Sequence, residues 1–423
     1  MKRVAFHTLG CKVNFAESST LARQFEAAGY VRVAPTADAD IHVINSCSVT
    51  EHADKKCRNI IRRAHTHNPQ AIIAVTGCYA QLKPEEVASV EGVDIVLSNR
   101  SKADLFREVE ALAARPEPKI LSCETAELTN FFAAFSQGDR TRSFLKVQDG
   151  CDYKCAYCTI HYARGSSRNA PIAQLVEEAR EIAASGVREI VLTGINVGDF
   201  GHSTGESFID LIRALDTVEG IERYRISSIE PNLLTDEVAE FCAASSKFQP
   251  HFHIPIQSGC NSVLERMGRR YTAERFADRI HKVRSLMPDT FFGIDVIVGF
   301  PGETDQEFEA TYSLLESLHP AYLHIFPFSP RPGTPAYSMP NQVRASIKTD
   351  RAARLDELCR RLHREFCMSQ VGRTLPVLFE GASKNGLMTG FTGNYVKVAV
   401  PYDKSLAGKI VEVTLTADNI VLG

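Results

Sequence analysis

No apolar run in this chain exceeds the length of a strand, so no segment reads as a membrane-spanning helix. The basic start, MKRVAFHTLGCKVN, is followed by no long apolar stretch, so a secretory leader is not expected. Net charge is scant as well. Lys and Arg number 48 against 51 Asp and Glu, a formal −3, so any attraction to a polyanion must come from local basic surface. Repeats and low-complexity tracts are missing. The expectation is a cytoplasmic protein with no membrane partner, its 423 residues forming two or three domains.

Cysteine, by contrast, is present in unusual patterns. There are twelve. A chain of this length in a reducing compartment does not need them as disulfides. Metal binding is expected where the spacing is special, and burial as small hydrophobes elsewhere. The stretch DGCDYKCAYCTI places Cys151, Cys155 and Cys158 in a C-x3-C-x2-C pattern. A structural zinc site closes its coordination with four ligands. Three thiolates can hold three irons of a [4Fe-4S] cluster and leave the fourth open. A zinc knuckle that borrows a distant fourth ligand stays open as the alternative.

The remaining pattern is one of alternation. Residues 1–112 alternate apolar runs with helical periods, which predicts a doubly wound parallel sheet with helices on its faces. Residues 113–140 show no period and read as a linker. Residues 141–340 offer six further strands: SFLKVQDG, EIVLTGIN, RYRISSI, HFHIPIQ, FFGIDVIVGF and YLHIFPFS. Six βα units are too few for a closed eight-stranded barrel and suit an open partial (β/α)6 barrel. A helix region follows over 341–369, and 370–423 is all strand and turn, the pattern of a small OB-type β-barrel.

The cysteine loop follows the first strand of the partial barrel, which places it at the C-terminal mouth where barrel active sites collect. A second set lies upstream: Cys11 in TLGCKVN, Cys47 in INSCSVT and Cys78 in VTGCYA. Each follows an apolar strand directly. Ligands of open parallel sheets bind at the carboxyl ends of strands, so these three can converge despite their separation. Cys57 and Cys123 do not follow strands and are expected to be structural, as are Cys242, Cys260, Cys359 and Cys367.

The C-x3-C-x2-C loop, with Tyr157 just before its last cysteine, resembles the radical S-adenosylmethionine (SAM) superfamily. The resemblance implies that the open iron chelates SAM and that cofactor-binding positions fall at Tyr157, Thr193, Gly194, Asn196, Glu230, Gln257, Gly293 and Gly299. The three-cysteine domain in front and the small barrel behind, similar to a TRAM module, extend the likeness to the methylthiotransferase family over essentially the whole chain. That family implies two [4Fe-4S] clusters, two molecules of SAM, an external electron donor and sulfur delivered from the cluster on Cys11, Cys47 and Cys78. Lys12, Val13 and Asn14 resemble the type acting on N6-threonylcarbamoyladenosine next to the tRNA anticodon. Types acting on isopentenyladenosine or on an aspartate of a ribosomal protein are the alternatives, and a two-cluster electron carrier is a more distant one. A monomer is expected. The implied tRNA anticodon stem-loop needs cations. Candidates are Lys55, Lys56, Arg58, Arg62 and Arg63 on one helix, and Arg351, Arg354, Arg360, Arg361 and Arg364 on another. Either set could equally be a solvated face.

Overall fold

A computed structural model describes residues 1–112 and 117–422. In the N-terminal part, β1 (Arg3–Thr8), β2 (Val31–Val33), β3 (Ile41–Ser46), β4 (Ile72–Gly77), β5 (Ile95–Leu97) and β6 (Lys119–Leu121) form one parallel sheet in the order β2-β1-β3-β4-β5-β6. The central strands read as unbroken apolar runs because helices cover both faces. Every residue of β3 is buried. Register sets the strand ends level, with Thr8 opposite Asn45 and Asn45 opposite Thr76.

Two elements escape the sequence pattern. β2 was not expected, and β6 falls inside the segment read as a linker. Three residues are too few to display a period, so neither could be seen. The same segment carries Phe135 into the barrel core and pairs it antiparallel with Leu145. It is therefore a built connection between the two domains, apart from residues 113–116, which lie outside the described residues.

All six strands expected in the partial barrel are present. β7 (Ser143–Lys146) is followed by the short antiparallel pair β8 (Gln148–Asp149) and β9 (Arg168–Asn169), which clamps the base of the cysteine loop. β10 (Glu189–Thr193), β11 (Arg223–Ile226), β12 (His251–Gln257), β13 (Phe291–Val298) and β14 (Tyr322–Pro327) complete the set. The two three-stranded halves meet through a parallel bridge between Ser228 and His253, so the strands run in sequence order. The helix Ala345–Met368 covers β14 and buries Leu355, Leu358 and Leu362 in the barrel core. The last part is a curled antiparallel sheet, β15 (Thr374–Lys384), β16 (Leu387–Thr392), β17 (Lys397–Pro401) and β18 (Ile410–Thr414). Ile420 returns to pair with Val398 and closes the curl over Val377, Phe379 and Met388. Arg223 and Arg225 of the barrel fasten it by donating to the carbonyls of Pro376, Phe391, Thr392 and Gly393. No helix among the described residues is long and apolar enough to cross a membrane.

Candidate active site

Cys11, Cys47 and Cys78 stand just past the level ends of β1, β3 and β4. Two glycines make their approach possible. A Cβ on Gly10 (φ +88°) would meet the Cys47 Sγ at 2.6 Å, and one on Gly77 (φ +97°) would meet the Ser46 carbonyl at 2.4 Å. Asn14 locks the same corner by donating to the carbonyls of Leu9 (2.7 Å) and Ser46 (2.9 Å). Cys151, Cys155 and Cys158 occupy the loop between β8 and β9, and the Cys151 amide donates to the Gly165 carbonyl at 3.0 Å.

The two loops touch. The hydroxyl of Thr159, next to Cys158, faces the carbonyl of Ser48, next to Cys47, at 3.4 Å. A buried ionic hub binds them further. Glu17 accepts from Lys102 (2.5 Å), Lys146 (2.8 Å) and Arg164 (3.0 Å), while Asp149 accepts from Lys146 (2.7 Å) and Arg164 (2.9 Å). Glu17 and Lys102 belong to the N-terminal domain, and the rest flank the barrel's cysteine loop. The cations hold the Glu17 carboxyl well below its usual range despite the burial that opposes ionisation.

The donor set fits iron. All twelve cysteines are free. Burial pushes Cys47, Cys151 and Cys158 each up to about 12, so a bound cation is what would hold them as thiolates. Burial also raises Cys78, against the pull of Arg164 beside it.

A cleft of about 290 Å³ opens above the barrel's cysteine loop. Tyr157, Asn196, Glu230 and Gln257, expected at the cofactor, line it. Asn196 accepts from the Glu230 amide with its Oδ1 and leaves its buried Nδ2 without a partner among the described residues. That orphan donor suits a ligand oxygen. Gln257 holds φ at +66°, a strained conformation for a non-glycine residue, beside an irregularity in the β12 ladder. Val49 and Thr50, just past Cys47, and Phe326 to Ser329, at the end of β14 and just beyond it, also line the cleft.

Four expected cofactor positions lie elsewhere. Thr193 is buried and turns its hydroxyl onto the Val191 carbonyl. Gly194 lies against Gln148, whose side-chain oxygen accepts from the amides of Ile195 and Asn196. Gly299 donates its amide to Glu303 and packs on Lys348. Gly293 sits too early in β13 and lines a second cavity instead.

Arg269 escaped the sequence reading. It donates to the Cys155 sulfur (3.2 Å), Tyr157 (3.4 Å) and Tyr271 (2.8 Å), and pairs with Glu230. Burial pushes the Glu230 carboxyl up, against the pull of this guanidinium. The only available signal was GRRYT after a short helix, which carries no metal or cofactor spacing.

The basic candidates also divide. Lys55, Lys56, Arg62 and Arg63 are exposed on the helix Glu51–His67. Arg58 is not free, because it pairs with Glu86 (2.9 Å) and bonds Tyr79 (2.7 Å). On the helix Ala345–Met368, Arg351 is buried against Glu303 and Asp305, Arg354 is forked onto Glu309, and Arg361 pairs with Glu316. Arg360 leans on Asp356 one turn away at 3.5 Å, and Arg364 is exposed. The acidic row of the neighbouring helix Asp305–Leu318 consumes most of this set.

Three family models match the chain: Uncharacterized protein family UPF0004 over residues 3–98, the Radical SAM superfamily over 145–315 and the TRAM domain over 368–419. Among curated relatives, the threonylcarbamoyladenosine tRNA methylthiotransferase MtaB of Bacillus subtilis is 42% identical, over 98% of this chain and 94% of the relative. Its namesake in Thermotoga maritima is 38% identical over 94% and 91%. A tRNA-2-methylthio-N(6)-dimethylallyladenosine synthase of Wolbachia pipientis is 34% identical over 90% and 88%. Among solved structures, the radical SAM methyltransferase TsrM of Kitasatospora setae superposes with a TM-score of 0.58 at 14% identity, over 79% of this chain and 77% of that one. This likeness supports the fold alone.

Proposed function

We propose that this chain, which belongs to the radical SAM tRNA methylthiotransferase family, replaces the C2 hydrogen of N6-threonylcarbamoyladenosine, just 3′ of the tRNA anticodon, by a methylthio group. Cys151, Cys155 and Cys158 would hold one [4Fe-4S] cluster, and Cys11, Cys47 and Cys78 the other. When bound, the clusters and SAM supply the radical and the methyl and sulfur atoms that an unactivated aromatic carbon requires. The observation that carries this reading is the contact of the two cysteine loops at Ser48 and Thr159, with the cleft bounded by both. Two sites that share a wall can act on one base.

The residues of the chain bind, orient and shield. Arg269 fixes Cys155, Tyr157 and Glu230 in one arrangement. Asn196 offers its free amide donors to a SAM oxygen, and Glu230 and Gln257 complete that wall. The Phe326–Ser329 segment and Val49 border the cleft with apolar surface that a bound base can cover. The exposed Lys55, Lys56, Arg62, Arg63 and Arg364 supply phosphate contacts, with the TRAM module as a further RNA surface. An external donor provides the electron, and the enzyme acts as a monomer in the cytoplasm.

Identity favours the threonylcarbamoyl substrate, since relatives of that name run from 34% to 42% while those named for the dimethylallyl substrate reach 34%. The test is nucleoside mass spectrometry of tRNA from a deletion strain and of tRNA treated with reconstituted enzyme. Loss of 2-methylthio-N6-threonylcarbamoyladenosine on deletion, and its return in vitro, is expected. Loss of the methylthiolated isopentenyl nucleoside instead would refute the substrate and leave the family intact.

A further inference from the structure

A cavity of about 600 Å³ lies where the N-terminal domain, the barrel lumen and the C-terminal β-module meet. Cys11 stands on its wall, so it reaches the N-terminal cysteine site. It also adjoins the SAM cleft. His253 and His324 line the cavity, Asp295 lines the cleft, and His253 bonds Asp295 at 2.6 Å across the division. A base reacting between the two cysteine sites would therefore have this space beside it.

The lining is cationic. Lys12, Arg140, Arg142, Arg225 and Lys397 contribute to it, and among the described residues no carboxylate does. Two of these are already committed. Arg225 is held by Glu189 at 2.7 Å and by two carbonyls, and Arg142 bonds Tyr395 (3.2 Å) and leans on Glu380 (3.4 Å). Lys12 differs. Like Arg140 and Lys397 it makes no side-chain hydrogen bond or ion pair among the described residues, but it alone of the three follows a cysteine of the N-terminal site, and its charge is favoured by Tyr395 and Asp295 and opposed by Arg142 and Arg225. Lys12 is exposed to the cavity, so an anion seated there reaches its ammonium without displacing a protein partner.

Resting on the substrate reading above, we infer that Lys12 binds the carboxylate of the threonylcarbamoyl group in this cavity, with Arg142 and Tyr395 as the supporting wall. The substituent hangs from the same six-membered ring as C2, so a base with C2 at the cysteine sites projects it into neighbouring space. Its carboxylate is the anion the cavity lacks. An isopentenyl group has no polar atom to offer Lys12, so the residue beside Cys11 discriminates through the ion pair it forms with one substituent and not with the other.

The test uses reconstituted enzyme and two anticodon stem-loops, one carrying the threonylcarbamoyl group and one its neutral threoninamide counterpart. Wild type should bind the carboxylate stem-loop about 10- to 100-fold more tightly, the range of a charge-assisted hydrogen bond. Lys12→Gln should erase that preference and Lys12→Arg should retain most of it, with iron and sulfide content confirming intact cysteine sites. A wild-type enzyme that methylthiolates the threonylcarbamoyl stem-loop yet binds both stem-loops equally overturns this inference alone, without any variant. So does a Lys12→Gln enzyme that keeps the wild-type preference or weakens both stem-loops alike, the latter marking a phosphate contact. A wild type that acts only on an isopentenyl stem-loop overturns the substrate reading as well.

Discussion

The two cysteine sites reach similar donor sets by opposite routes. In the barrel, one loop carries all three thiols and a two-residue strand pair closes its base. In the N-terminal domain, the thiols come from three strand ends separated by 36 and 31 residues of chain, and only the level register of a parallel sheet brings them together. The first site depends on local geometry. The second depends on an entire sheet and on Gly10 and Gly77, where any side chain would strike the neighbouring turn. Dispersal is what lets the second site face the first from another domain.

The largest effects test whether the sites are separate. Replacing Cys151, Cys155 and Cys158 by Ala should remove about half the iron and abolish reductive SAM cleavage. Replacing Cys11, Cys47 and Cys78 should also remove about half the iron and abolish methylthio transfer, yet leave SAM cleavage to 5′-deoxyadenosine. Loss of both clusters in the folded N-terminal variant would show that the sites assemble as one.

The hub tests what they share. Glu17→Ala strips the common anion from Lys102, Lys146 and Arg164, all almost fully buried. Removing one partner of such a network costs about 3–5 kcal/mol. The denaturation midpoint should fall markedly, and iron should be lost from both sites rather than one. An unchanged midpoint would mean that Asp149 alone compensates these cations.

The smallest effect should separate local from dispersed construction. Gly10→Ala forces a left-handed backbone on a residue with a Cβ, at about 1–2 kcal/mol, and presses that Cβ on the Cys47 sulfur. Iron should fall at the N-terminal site only, with SAM cleavage retained. Electron paramagnetic resonance of the two triple-cysteine backgrounds, each with Gly10→Ala added, reads the two sites apart. An equal loss at both would deny that this glycine serves one site.

Both cysteine sets could be read from the chain because their signals are local. A three-thiol loop after a strand needs no partner to be recognised, and a cysteine directly after an apolar run marks a strand end wherever the run later pairs. The order of the domains followed from the same alternation of periods. β6 could not be read, because three residues cannot show a period and its partner β5 lies more than twenty residues upstream. Arg269 was invisible for a related reason. Its role comes from Cys155, Glu230 and Tyr271 meeting around it, not from anything in GRRYT.

Charge marks the boundary most clearly. Composition established that cations had to be local, and helical spacing grouped them on two helices. Which of them remain free is a tertiary fact, because ion pairs form between residues far apart in the chain. Glu86 claims Arg58, and Glu303, Glu309 and Glu316 claim Arg351, Arg354 and Arg361. Nothing claims Lys12 among the described residues, and no spacing could have foretold that. The cavity it faces takes residues from all three domains, and only their packing gathers its ammonium with other cations on a wall to which no carboxylate contributes among the described residues.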